Sequence, residues 1–198
     1  MLDPARTPAE IEARSFALIE AEVPEPRRFQ GYAWEVARRC VHATGDVSLI
    51  QSLELPEAAI LAGLGALARG CTMYTDTKMA ACALSQREFA ALNCRIIPWL
   101  DLPEVAVRAT RLNITRSQAG IDLIQNDLAG QIIVIGNAPT ALLQLLALLA
   151  SGRPAPALIV GMPVGFVNAA QAKELLNQSS YKYLTLLGRR GGSAVAAS

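Results

Sequence analysis

The sequence has 198 residues, 52% hydrophobic and 18% charged, and its formal net charge is +1. This balance excludes extensive disorder, and the length suits one domain with a substantial core. Near-neutral charge and only 5% aromatic residues argue against nucleic-acid binding.

No segment predicts a membrane span or a secretory signal. The richest apolar stretch covers only residues 141–150 and is interrupted by Gln144, whereas a spanning helix needs about 20 apolar residues. The first ten residues, MLDPARTPAE, contain acidic residues and two prolines but no apolar signal core. We therefore predict a cytoplasmic protein that does not bind membranes.

Cysteine and histidine are too sparse to predict a metal site. The chain has one histidine, His42, and its four cysteines form no CxxC pair. Zinc and iron–sulfur sites need closely spaced thiolates or several histidines. We predict no metal, and we expect the four thiols to be free and buried.

The first 70 residues are predicted to be helical. Thr7-Pro8 is typical of a helix start, and an apolar stripe follows it as far as Pro24. Two more helices are predicted over residues 31–41 and 56–69. The second of these three helices ends next to His42, immediately before a turn signal.

From residue 71, short apolar runs alternate with helical segments. Continuous β-branched runs are typical of strands buried on both faces in a parallel sheet covered by helices. We predict a three-layer α/β/α fold with a five-stranded parallel sheet in the order 2-1-3-4-5. The predicted strands are 71–74, 95–98, 131–135, 157–160 and 183–187, and the predicted helices are 78–84, 103–112, 118–128, 140–149 and 169–176.

The predicted organisation is one domain over residues 1–198, without internal repeats. Residues 1–70 form the helical part and residues 71–188 the parallel α/β core. Residues 189–198 are rich in Gly and Ala and are predicted to be a flexible tail.

The loops after four predicted strands carry unusual residues, most of them with Gly or Pro. Ligands of open parallel sheets bind beyond the carboxyl ends of the strands, where such loops let the backbone approach a ligand. We therefore predict a ligand crevice at this edge of the sheet. The loops are TDTKM (75–79), GNAPTAL (136–142), GMPVGFV (161–167) and GRRGGS (188–193).

Common phosphate and hydrolase motifs are absent. The sequence contains no GxxxxGK[ST] and no GxSxG, and Gly63 and Gly65 lie in a helical pattern rather than after a strand. These absences argue against a P-loop enzyme, a nicotinamide-dependent oxidoreductase and a serine hydrolase.

Several longer segments occur in a distinctive order along almost the whole chain. They are EIEARSF (10–16), RRCVHATGD (38–46), TDTKM (75–79), NITRSQAGID (113–122), VIGNAPTAL (134–142), VGMPVGFVNAAQAKE (160–174) and GRRGGSAVA (188–196). In these segments the chain resembles the precorrin-8X methylmutases of cobalamin biosynthesis.

The resemblance implies a homodimeric isomerase with a flavodoxin-like fold. Its substrate would be a tetrapyrrole, either precorrin-8X or cobalt-precorrin-8, and the product hydrogenobyrinic acid or cobyrinic acid. The implied reaction is a 1,5-sigmatropic shift of a methyl group from C-11 to C-12 of the macrocycle, which requires no external cofactor.

The resemblance also implies the principal site residues. His42 corresponds to the catalytic histidine, Ser15 to a substrate-contacting serine, and Arg116, preceded by Thr115, to the arginine of a TRS motif. A proton placed on a ring nitrogen would ease migration of the methyl group, and imidazole is a suitable general acid.

Four further residues are predicted to contact the substrate: Met79, Asn137, Arg189 and Arg190. The arginines can bind the acetate and propionate carboxylates of a tetrapyrrole, or they can be a solvated basic pair. Asn137 can alternatively cap a helix. Lys78, which precedes Met79, departs from the acidic residue or arginine that is usual in the family.

Two other functions remain open at this point. A corrinoid-binding or carrier protein could use the same crevice without turnover, and it would not need His42. A nucleotide-binding flavodoxin-like domain is disfavoured because phosphate motifs are absent, and bound FMN would reveal it.

Overall fold

The computed structural model describes residues 7–198. Residues 1–6, which belong to the segment where no secretory signal was predicted, lie outside the described part. No helix within 7–198 is long and apolar enough to cross a lipid bilayer. The α-helices of this part are α1 (Pro8–Glu22), α2 (Gly31–Thr44), α3 (Glu57–Ala68), α4 (Lys78–Ala83), α5 (Gln86–Ala91), α6 (Glu104–Leu112), α7 (Arg116–Ile124), α8 (Pro139–Ala150), α9 (Ala169–Asn177) and α10 (Ser193–Ala197). The strands are β1 (Leu53–Glu54), β2 (Thr72–Thr75), β3 (Arg95–Pro98), β4 (Ile132–Ile135), β5 (Leu158–Gly161) and β6 (Tyr183–Leu186).

The strands form one mixed sheet in the order β1-β6-β5-β4-β2-β3. β2 to β6 pair in parallel, whereas β1 pairs antiparallel with β6, where Leu53 faces Leu186. The prediction of a five-stranded, wholly parallel sheet is therefore wrong in one respect, because a sixth strand runs antiparallel at the edge. Two residues are too few for the alternation of apolar and polar positions that identifies a strand.

Strand β4 lies between two apolar cores. Ile132 and Val134 belong to a core that includes side chains of α2 and α3, while Ile133 and Ile135 belong to one that includes side chains of α7, α8 and α9. Alternate residues of a strand point to opposite faces, so helices on both sides bury the whole of β4. This alternation accounts for the α/β fold with helices on both sides of the sheet.

The helices at the amino end are set by local signals. A capping box between Thr7 and Glu10 starts α1, with Pro8 in its first turn. Helix α2 ends where Gly45 adopts a left-handed conformation with φ of 65°, which residues with a Cβ rarely adopt. This end places His42 in the last turn of α2.

The prediction of a flexible tail over residues 189–198 is wrong. Residues Ser193–Ala197 form α10, and Ser193, Val195 and Ala196 are buried. A Cβ on Gly136 would lie 2.7 Å from Ser193 Cα, so the small residue at position 136 lets this segment pack closely. The Gly- and Ala-rich composition therefore permits close packing here rather than flexibility.

The four cysteines are free, as expected, but they are not all buried. Cys40, Cys71 and Cys94 lie in the interior, whereas Cys82 is exposed on α4. The expectation of a buried thiol is thus wrong for Cys82.

Candidate functional site

His42 is exposed at the end of α2 and borders two concavities. One is a cleft of about 740 Å³, and the other is a smaller hollow of about 270 Å³. Helices α1, α2 and α10 and the α4–α5 connection supply the walls of the 740 Å³ cleft. Its polar lining consists of Glu12, Arg39, His42, Ser85, Glu88 and Ser198.

Helix α1 brings two side chains to the histidine. Ser15 lines the 270 Å³ hollow together with His42, and its Oγ donates a hydrogen bond of 2.9 Å to the carbonyl of Ile11. The ring of Phe16 lies 5.3 Å from the imidazole, centroid to centroid. The structure therefore brings together the predicted pair Ser15 and His42.

A buried carboxylate organises the loop after β4. Asp76 follows β2 and is fully buried, and its Oδ1 accepts a hydrogen bond of 3.1 Å from the backbone N–H of Gly136. Its Oδ2 accepts from the N–H groups of Asn137 and Ala138 at 2.6 and 2.8 Å. Burial raises the pKa of Asp76, and these three donors oppose that shift because they favour the carboxylate. The predicted site residue Asn137 is thus held through its backbone, and its side chain is exposed.

The carboxyl edge of the sheet joins the histidine cleft through α10. Thr77 caps α4 by accepting from the N–H of Ala80, and its Oγ lies 2.9 Å from the Oγ of Ser193. Two other α10 residues, Ala194 and Ala197, line the 740 Å³ cleft. A single short helix therefore contacts both the strand ends and the space next to His42.

Arg190 binds the turn that follows the histidine helix. Its guanidinium donates to Asp46 Oδ2 and Ser48 Oγ, both at 2.7 Å, and to Ser52 Oγ at 3.3 Å. The carbonyl of the same residue accepts a hydrogen bond of 2.6 Å from Lys173 Nζ. Lys173 is fully buried on α9, and desolvation lowers its pKa to about 8.

The other predicted contact residues are spread along the carboxyl edge of the sheet. Arg189 stacks on the ring of Phe166 at 5.0 Å, and Met79 is 70% exposed at the start of α4. Thr115 caps α7, and its Oγ lies 3.2 Å from the Oγ of Thr140. Arg116 donates a long hydrogen bond of 3.4 Å to the carbonyl of Leu100.

These four residues are therefore not gathered around His42 within the described chain. Met79, Thr115, Arg116 and Arg189 line neither of the two concavities that border the histidine. Arg116 and Arg189 nevertheless remain exposed, so their guanidinium groups are accessible to an anionic ligand.

Comparison with known proteins finds consistent relatives. The family model for precorrin-8X methylmutase matches residues 10–198. A precorrin-8X methylmutase from Pseudomonas aeruginosa is 41% identical, over 100% of this chain and 95% of its own length. A cobalt-precorrin-8 methylmutase from Leptospira interrogans is 38% identical, over 94% of this chain and 88% of its own. A crystal structure of a precorrin-8X methylmutase from Thermus thermophilus superposes with a TM-score of 0.88, at 34% identity, covering 96% of this chain and 91% of that one.

The chain belongs to the precorrin-8X methylmutase family. It is accordingly an isomerase of cobalamin biosynthesis. The motif-based recognition of this family is confirmed.

Two buried residues of this methylmutase were not predicted from sequence. Asp76 and Lys173 lie within the family-like segments TDTKM and AKE, but an acid after a strand and a lysine on a helix are usually solvated. Burial among apolar neighbours is a property of the folded chain. The one feature of the sequence that could have pointed to Asp76 and Lys173 is that each is a charged residue inside a distinctive segment.

No three His, Cys, Asp or Glu side chains within residues 7–198 are grouped so that they could hold an ion. The chemically capable groups at the cleft are an imidazole, two hydroxyls, one guanidinium and two carboxylates, which suit proton transfer and hydrogen bonding.

Proposed function

We propose that the protein moves a methyl group from C-11 to C-12 of precorrin-8X or cobalt-precorrin-8 by a 1,5-sigmatropic shift, with His42 as general acid. The products are hydrogenobyrinic acid and cobyrinic acid. One observation carries the proposal: the single histidine of a methylmutase-family chain borders a cleft of about 740 Å³, with Ser15 beside it. Pockets for drug-sized ligands usually measure about 300–1,000 Å³.

The proposed role of His42 is to donate a proton to a ring nitrogen of the macrocycle. The proton withdraws electron density from the conjugated system, so the methyl group migrates with its bonding electrons more readily. After migration the proton returns to the imidazole, and no atom is gained or lost overall. Such proton transfer typically contributes about 10²–10⁴-fold to a rate.

The proposed substrate contacts use groups that are exposed at the strand ends. Arg116, beside Thr115, and Arg189 would bind peripheral carboxylates, while Met79 and Asn137 would line the edge of the substrate. Ser15 would bond to the substrate next to the histidine. Because the donors of Arg190 already bind the turn at 46–52, we assign it a share in substrate binding only through its remaining N–H groups.

We also propose one flavodoxin-like domain that forms a homodimer and acts in the cytoplasm without an external cofactor. The order β3-β2-β4-β5-β6 of the parallel strands supports the flavodoxin-like assignment. Sedimentation velocity on the purified protein tests the dimer, and a monomer at micromolar concentration would contradict it.

The test of the reaction is an anaerobic incubation of purified protein with metal-free precorrin-8X and, separately, with cobalt-precorrin-8. Methyl migration changes the conjugation of the ring, so turnover produces a new visible absorbance spectrum. The named relatives include methylmutases for each substrate, so the two rates decide which one this chain prefers.

His42→Ala is the decisive variant. We expect its turnover to fall about 10²–10⁴-fold with binding of pigment retained, because a general acid is removed and no substrate carboxylate loses its partner. Gln171→Ala, an exposed change on α9, is the control and keeps wild-type turnover. Binding of pigment without conversion by the wild-type chain would instead support the carrier function.

A further inference from the structure

The ring of Phe16 contacts three side chains on one side of α2. Its centroid lies 5.3 Å from that of the His42 imidazole, and the two planes are inclined by 59°. The guanidinium carbons of Arg38 and Arg39 lie 4.3 and 5.2 Å from the same centroid. Residues 38 and 42 are one turn apart, so the aromatic ring of α1 spans the last two turns of α2.

The imidazole of His42 makes few other interactions that could fix its orientation. Within residues 7–198 it makes no hydrogen bond, and its side chain is exposed. The torsion that rotates an imidazole about its bond to Cβ is broad and roughly two-fold. Within the described chain, contact with the Phe16 ring is therefore the side-chain interaction that can restrict this rotation.

Phe16 is itself firmly held. It is half-buried and packs against the core that includes α2 and α3 side chains. On one of its faces, Arg38 is fixed by ion pairs with Glu35 and, at 2.9 Å, with Glu20. A ring anchored in this way can orient a mobile neighbour, because its own position is set by packing and by charge.

We propose that Phe16 is a positioning residue that keeps the imidazole of His42 directed at the 740 Å³ cleft. The role rests on the proposed function of His42 as general acid. Without the ring, the imidazole samples other orientations, and the chemical step slows while binding of the substrate is unchanged. A displacement of about 1 Å at a reacting group can cost about 100-fold in rate.

The test compares three variants. Phe16→Leu keeps an apolar side chain and removes the ring, and Phe16→Tyr keeps the ring. Phe29→Leu is the matched control, because Phe29 is also half-buried on the same core and stacked with an arginine at 5.0 Å, but it has no contact with His42. We expect kcat to fall about 10- to 100-fold in Phe16→Leu with KM within two-fold, and to stay near wild type in the other two.

The single histidine allows a direct structural measurement. Its imidazole C–H resonances are the only ones of their kind in the NMR spectrum, and the Phe16 ring current displaces them. We expect Phe16→Leu to move these resonances and Phe16→Tyr to leave them close to wild type. Phe29→Leu should not move them.

The combined outcomes separate this proposal from the proposed function. Wild-type resonances or wild-type kcat in Phe16→Leu would overturn the positioning role. An equal loss of kcat in Phe29→Leu would also overturn it, because the effect would then be general destabilisation. If His42→Ala retains full turnover while Phe16→Leu moves the resonances, the contact is real but the general-acid function fails.

Discussion

Asp76 is a carboxylate that no solvent reaches, and within residues 7–198 every hydrogen bond to its side chain comes from a backbone N–H group of a neighbouring loop. The Asp76 side chain takes the place that water would otherwise occupy around residues 136–138. Both of its oxygen atoms are needed, since three donors converge on them. Charged hydrogen bonds of this kind contribute about 1.5–3 kcal/mol each.

Replacing this acid by its amide tests the arrangement. In Asp76→Asn one oxygen becomes an NH₂ group, which faces backbone donors and leaves at least one of them unpaired. We expect the free energy of unfolding to fall by about 2–4 kcal/mol, measured by urea denaturation. Asp101→Asn, in an exposed ion pair with Lys78, should change it by less than about 1 kcal/mol. Equal losses in the two variants would contradict this account.

Sequence reasoning identified residues with a recognisable motif and missed residues that depend on distant contacts. His42 and Ser15 carry motif signals, and the fold places them at one hollow. Asp76 acts on residues 60 to 62 positions away, which no local pattern encodes. The stacking of Phe16 on α2 likewise depends on how two helices pack.

At the scale of elements, the connection between β6 and α10 is held through its backbone carbonyl and N–H groups. The carbonyl of Arg189 accepts from the N–H of Gly165 at 3.1 Å, and that of Arg190 accepts from Lys173. The N–H of Gly192 donates in turn to the carbonyl of Met162 at 3.0 Å. Three successive contacts thus fix a glycine-rich connection that carries two of the predicted substrate residues.

Lys173 gives this connection a pH dependence. Its pKa is about 8 in the folded chain and near 10.5 when solvated, so between these values the unfolded chain holds more protons. Raising the pH through that interval therefore favours the folded state, by at most about 1.4 kcal/mol per pH unit. We expect the stability difference between wild type and Lys173→Met to be constant below pH 8 and to grow in favour of wild type from about pH 8 to 10.5.

Subtracting the pH dependence of stability of Lys173→Met from that of wild type isolates the contribution of Lys173. Burial, with the neighbouring Cys94, raises the pKa of Cys71 to about 11, and that group titrates in both proteins alike. Lys182→Met removes an exposed lysine and is the control for the general effect of losing one positive charge. A constant difference between wild type and Lys173→Met would show that Lys173 is solvated in the folded chain.

The bounds of helices and strands with a strong hydrophobic periodicity were predicted to within a few residues. Elements with a weak hydrophobic periodicity were missed. The strand at Arg95–Pro98 has its predicted bounds, and the buried run of β4 is also in place. Helix α5 has no buried residue, and α10 is made of small residues, so neither shows an apolar stripe. Their positions depend on tertiary packing that the local pattern does not report.

At the scale of the whole molecule, α10 connects parts of the chain that are distant in sequence. It packs on α2, α4 and β4, and it supplies a wall of the cleft at His42. The close approach of Ser193 to Gly136 determines how tightly α10 packs against the loop after β4. A Cβ at position 136 would come within 2.9 Å of the Ser193 nitrogen.

Gly136→Ala tests whether the close packing of α10 against Gly136 shapes the cleft at His42. The added methyl group meets backbone atoms that cannot rotate away, so α10 has to move outward. We expect a loss of about 1–3 kcal/mol in stability and lower turnover, measured by denaturation and by the spectral assay. Gly65→Ala is the control, because its methyl group meets only the flexible Arg69 and favours helix α3, which should raise stability slightly. Wild-type turnover in Gly136→Ala would contradict the role of α10 as a wall.

The two-residue strand β1 has a consequence for assembly. It occupies hydrogen-bonding groups of β6 that would otherwise be open at that border of the sheet. The opposite border is β3, which begins with the exposed Arg95 and ends with Pro98, a residue without an N–H to donate. Both borders thus discourage the addition of a foreign strand, which protects the chain from fibril-like stacking. We therefore expect a second copy of the protein to associate through helices and loops rather than by extending the sheet.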